Sequence, residues 1–216
     1  MKHFISQKLF SYWNNLRGAR FAPRRLEIDP GCIGSILPET FILERIRNDF
    51  YSFRLAGSHV CHLLGKELRG QNFLSGWNNK DYKTLLSQLN AISVQGGAAL
   101  FTLEFECVRG EALLAEMLLL PLLNAEVFAD RCIGSLSLFE RPVWLQHQAF
   151  VNRKLTSEQI ISIPYPIKQN RQIPVNEDIT QSPIRRSRLI IKKNITFRVF
   201  DGDRLQSPSP PRLNTH

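Results

Sequence analysis

Apolar and polar residues alternate along Thr40 to Ile46 and again along Tyr51 to Ala56, the period of two that a half-buried strand requires. Asn48-Asp49 between the two runs has turn chemistry, so the pair predicts a hairpin. Gly57-Ser58 leaves the second strand, with Ser58 placed to cap a short helix. A longer helix is predicted from Lys80 to Gln95, followed by three strands near 98–108, 111–121 and 131–140. In Glu111 to Leu120 both parities are apolar, with Leu113, Ala115, Met117 and Leu119 on one face and Leu114, Leu118 and Leu120 on the other. Only Glu116 interrupts the second set, so the sheet needs a protein layer on each side. Near the N-terminus, Ile5, Leu9, Trp13 and Leu16 recur at helical spacing and Gly18 is a plausible stop. An amphipathic helix of about three turns follows, able to cover the sheet or pair with its copy in a dimer.

Two strands, short helices, one longer helix and three antiparallel strands, in that order, resemble the PAS fold. The segments Leu16 to Pro30, Ile36 to Glu44, Phe53 to Gly70 and Glu116 to Leu122 are similar to a bacterial family of small stand-alone PAS-domain proteins, with the likeness running from Trp13 to Glu140. The resemblance implies an α+β fold: a PAS-like five-stranded antiparallel sheet in spatial order 2-1-5-4-3 with a helical crossover. It also implies a non-catalytic sensor or adaptor acting through a signalling protein such as a histidine kinase, with a homodimer as a further expectation.

The PAS cavity would lie between the sheet and the crossover. Its expected walls are Phe53, Leu55, His59, Val60, Leu64, Phe73, Leu85, Leu89, Phe101, Leu103 and Phe105, with His59, His62, Ser135 and Ser137 as the available polar groups. Side chains this large tend to fill such a space. Light-sensing PAS modules hold flavin through a Gly-x-Asn-Cys-Arg-Phe-Leu-Gln motif, but Gly70-Gln71-Asn72-Phe73-Leu74 lacks the reactive cysteine. Haem PAS modules take a histidine from the long helix, and Lys80 to Gln95 has none. No cofactor is therefore expected. His59, Cys61 and His62 are near neighbours without a second ligand pair, so no metal is expected either.

Charge divides the chain. Residues 1–150 carry a net +2 and residues 151–216 a net +7, within a total of +9. Seven of the 12 prolines also lie beyond residue 150, which rules out long helices there. The expected organisation is an N-terminal helix and connector over 1–30, a PAS-like domain over 31–145 and a largely irregular basic, proline-rich extension over 146–216, with Arg153 to Gln181 as linker. Within the extension, 185–205 could form a short strand or hairpin presenting Arg185, Arg186, Arg188, Lys192 and Lys193. That cluster supports the alternative reading, a nucleic-acid or anionic-surface binder whose PAS domain only dimerises. No recognisable nucleic-acid motif accompanies it, so nucleic acid is disfavoured.

The four cysteines are dispersed, which argues for free thiols. No apolar run reaches the length of a membrane span and no signal-peptide core is present, so a cytoplasmic location is expected. Phosphate loops, dinucleotide fingerprints and Gly-x-Ser-x-Gly elbows are missing, and Glu104 and Glu106 alternate as ordinary exposed strand acids do. An enzyme is not expected.

Overall fold

The computed structural model describes residues 1–107, 110–124, 129–142 and 150–163. The basic cluster at 185–193 and the hairpin expected at 185–205 lie outside the described residues. Among the described residues three α-helices, α1 (Phe4–Arg17), α2 (Ser58–Leu63) and α3 (Asn79–Gln95), and two 3-10 helices, Arg25–Glu27 and Pro30–Glu39, accompany six strands: β1 (Thr40–Arg47), β2 (Phe50–Ala56), β3 (Ala98–Cys107), β4 (Ala112–Leu122), β5 (Arg131–Leu138) and β6 (Phe150–Ile161). They form one antiparallel sheet in the order β2-β1-β5-β4-β3-β6. Among the described residues no helix is long and apolar enough to cross a membrane.

The first five strands take the expected order and the sixth extends it. β6 runs along the whole of β3, from Ala98 opposite Ile161 to Cys107 opposite Phe150. Arg153 to Ile161 is therefore strand where the sequence reads as linker. The reason is an edge: β3 would otherwise expose a row of unpaired backbone groups, and β6 satisfies them although only some of its side chains, Phe150, Leu155 and Ile160 among them, pack on the core. At the other edge, the backbone of β2 is met by the crossover, where Phe53 N–H donates to Gln71 O (3.0 Å) and Phe73 N–H to Tyr51 O (2.8 Å).

The strand parities sort the two cores. Leu113, Ala115, Met117 and Leu119 of β4 join Phe41, Leu43, Tyr51, Phe53, Phe101, Leu103 and Phe105 on the inner face, beneath α2 and α3. Leu118, Leu120 and Leu122 join Ala98, Leu100, Ile42 and Ile133 on the outer face, which α1 covers with Leu9 and Trp13. Gly134 on β5 makes room for the Phe41 ring, because a Cβ there would stand 2.4 Å from the ring's Cζ atom.

Local chemistry sets the helix ends. The His3 ring Nδ1 accepts the Ile5 N–H (3.2 Å) and caps α1, while Gly18 at φ 55° closes it. Asn78 caps α3 by accepting the Asp81 N–H (2.9 Å). Ser58 does not cap α2; Gly57 holds that position, where a Cβ would meet the Leu37 carbonyl oxygen at 2.2 Å. The close backbone approach, and not a side-chain hydroxyl, decides the residue there.

Candidate functional site

The inner face and the crossover meet where a cavity was expected, and the sequence fills it. Phe41, Phe53 and Phe73 form a triangle of rings with centroids 5.7 to 6.0 Å apart. With Val60, Leu64, Leu103, Phe105, Met117 and Leu136 around them, they leave about 20 Å³, room for roughly one water molecule. Of the predicted walls, Phe53, Val60, Leu64, Phe73, Leu103 and Phe105 border this space. Leu85, Leu89 and Phe101 are buried in the same core without lining it.

Leu55 is not a wall: it is 53% exposed. The pairing of β2 with β1 shifts register around Arg54, so Phe53 faces Leu43 but Leu55 faces Ile42. A bulge of this kind turns the following side chain to the opposite face. His59 is not a wall either. Its Nδ1 lies 2.6 Å from Glu39 Oε1, and Arg141 Nη2 donates to the same oxygen (2.7 Å). His59 and His62 instead border a separate hollow of about 50 Å³ with Leu63, Leu136, Leu138 and Arg141.

Ser135 and Ser137 share the parity of Ile133 and lie on the outer face, away from the cavity. Their hydroxyls, like that of Ser6 on α1, are buried without a hydrogen-bond partner among the described residues. Beside them Glu116 is 2% exposed, and its carboxylate accepts the backbone N–H groups of Lys2 (2.7 Å) and His3 (3.0 Å). The one polar residue that interrupts the outer stripe of β4 thus anchors the start of α1. The indole N–H of Trp13 donates to Pro121 O (2.8 Å) and fixes its far end. Leu9 and Trp13 are wholly buried against the sheet, with Ile5 and Leu16 partly so, and this apolar face is used within the chain.

The groups that sequence reasoning missed stand at the cavity mouth. An open cleft of about 270 Å³ adjoins the filled interior, with Leu63, Leu64, Phe105 and Phe150 as apolar wall and Lys66, Ser75, Asn152 and Arg153 as polar rim. Arg153 borders both spaces. Its Nη2 donates to Ser75 O (2.6 Å), its guanidinium lies 4.4 Å from the Trp77 ring centre, and its Nε is buried without a partner among the described residues. Burial pushes this guanidinium down to about 10. The signal was absent from the sequence because Arg153 reaches the mouth only if β6 pairs with β3. Neighbouring Lys154 points the other way, to Glu104 (2.7 Å), so Glu104 serves an ion pair across the strands. No group of three His, Cys, Asp or Glu side chains able to hold a metal occurs among the described residues.

A family model for the PAS domain matches residues 1–137, a range that includes α1. Among solved structures, the LOV protein of Rhodobacter sphaeroides is similar at 13% identity and a TM-score of 0.39, covering 54% of this chain and 71% of that one. A variant of that protein is covered over 66% of its length. The PAS domain of an HTR-like protein from Haloarcula marismortui is similar at 20% identity and a TM-score of 0.37, covering 53% of this chain and 95% of that one. No curated protein matches the chain.

Proposed function

Since the chain belongs to the PAS domain family, whose members are generally signalling sensors, we propose that it is a non-catalytic signalling adaptor that works by contact with another protein, such as a histidine kinase. The observation that carries this reading is the filled interior: with about 20 Å³ left between Phe41, Phe53 and Phe73, the inner face has the packing of a structural core and not of an internal cofactor chamber. Its apolar side chains serve stability, and the outer face is occupied by the chain's own α1. Two of the exposed apolar side chains lie by the start of α1, Phe4 at 66% and Leu114 at 48% exposure. They are joined through Phe139, whose ring packs edge-on against His3 at 5.8 Å and whose N–H donates to Leu114 O (2.9 Å). A patch of this kind suits contact with another protein.

The test is affinity capture with histidine kinases, and kinase autophosphorylation, using the full chain and its Phe4→Asp and Leu114→Asp variants. Loss of capture and of the effect on phosphorylation in both variants is expected. Unchanged behaviour would remove the patch from the function. The basic tail supports a rival reading through its charge of +7 over residues 151–216. Deleting residues 165–216, which spares β6, separates the two: the adaptor reading expects kinase capture to persist, and binding of nucleic acid or anionic vesicles by the full chain that is lost with the tail would favour the rival.

A further inference from the structure

A half-buried guanidinium with no carboxylate beside it among the described residues is unusual. Taking a charge out of water is unfavourable unless an opposite charge or a full set of hydrogen bonds replaces the lost hydration. Among the described residues Arg153 has one neutral carbonyl, Ser75 O, and the face of Trp77. Its Nε has nothing. The nearby acids are engaged elsewhere: Asp81 accepts the Leu155 N–H (2.9 Å) and the Asn78 side-chain amide (2.8 Å), and Glu104 pairs with Lys154. Among the described residues no Asp or Glu borders the cleft.

The opening in front of this cation is also selective. Lys66 adds a second positive charge at the rim, and the opposite wall is apolar, with the Phe105 and Phe150 rings 5.0 Å apart. We propose that this cleft is a binding site for a small organic carboxylate with an apolar body, the carboxylate meeting Arg153 and Lys66 and the body lying on Leu63, Leu64, Phe105 and Phe150. A guanidinium matches a carboxylate through two parallel hydrogen bonds. Two cations suit a single negative charge, whereas a polyphosphate would bring more charge than they neutralise and leave the apolar wall uncovered. The site lies outside the filled interior, depends on β6, and holds whether or not the chain acts through a kinase. Occupancy would draw the guanidinium away from Ser75 O and Trp77.

Calorimetric titration of the full chain with octanoate, octanol and inorganic phosphate tests this, with tryptophan emission followed in parallel. Saturable octanoate binding is expected, with octanol and phosphate each weaker by about tenfold or more, the worth of one charge-assisted contact. Arg153→Met should weaken octanoate about tenfold, and Lys66→Gln, whose side chain is exposed and leaves the fold untouched, about threefold. The emission change should fall in Trp77→Phe, since Trp77 lies against Arg153 and Trp13 lies on the outer face. No saturable octanoate binding, octanol or phosphate binding as tight as octanoate, or unchanged affinity in both Lys66→Gln and Arg153→Met would each overturn the proposal.

Discussion

The two faces of the sheet are covered in different ways. On the inner face the contacts are apolar and interlocked: Phe41, Phe53, Phe73, Phe101 and Phe105 come from strands and crossover together, so no single element can leave without opening the core. On the outer face α1 supplies cover together with Ala22, Ile28, Ile33 and Ile36 of the segment that follows it, and polar bonds hold α1 at both ends, Glu116 to the backbone of Lys2 and His3 and Trp13 to Pro121 O. Three serine hydroxyls without a partner among the described residues lie buried in that layer. Burial alone therefore does not distinguish the layers; the inner one is bound by shape and the outer one by a few directed bonds to a separable segment.

That contrast can be broken, first, at Phe101, which is 1% exposed. Phe101→Ala should cost about 4 kcal/mol in urea unfolding, the usual loss for a buried ring, and lower protection across the whole sheet in hydrogen exchange. Trp13→Ala should cost less, about 3 kcal/mol, because the loss is limited to the docking energy of α1. Exchange should rise in α1 and leave β3 and β4 protected; equal loss in both would erase the distinction between the layers. Glu116→Gln should cost about 1–2 kcal/mol, since an amide presents fewer acceptor sites to the Lys2 and His3 N–H groups, read as earlier proteolysis near the N-terminus. Ser137→Ala should change stability by less than about 0.5 kcal/mol, because its hydroxyl has no bond to lose among the described residues.

The smallest effect is a pH dependence beyond the reach of α1, where Glu44 pairs with Arg54 and with Arg131 (2.7 Å). Burial acts to raise this carboxyl, but the two guanidinium groups outweigh it and hold the group below its ordinary 4.5. A carboxyl lowered by folding adds stability above the unfolded value and loses it as pH falls through the folded one. Glu44→Gln should flatten the acid limb of the stability curve below about pH 4.5 and leave neutral stability almost unchanged, since partly exposed pairs contribute little.

Much of the fold was legible because it is written in local periods. The five strands β1 to β5 begin and end within one or two residues of their expected places, since each buries one or both parities of its side chains. α1 was readable from Ile5, Leu9, Trp13 and Leu16 for the same reason. The candidate walls were partly legible: Phe53, Val60, Phe73 and Phe105 reached the cavity, while Leu55 was turned outward by one extra residue in β2. Ser135 and Ser137 were placed with the cavity although their parity with Ile133 puts them under α1.

The sequence by itself determined which faces of β1 to β5 must be covered and that a helix was available to cover one of them. A repeating pattern of burial depends only on the geometry of its own element, so it survives without knowledge of neighbours. Tertiary structure alone decided the place of β6, whose exposed side chains carry almost no period and whose strand exists because β3 offers an open edge. It alone placed Arg153 over Trp77 and against Ser75 O, 78 residues away in sequence. Desolvation of one cation is a property of the surroundings that close around it, and those surroundings come from parts of the chain that no local pattern connects.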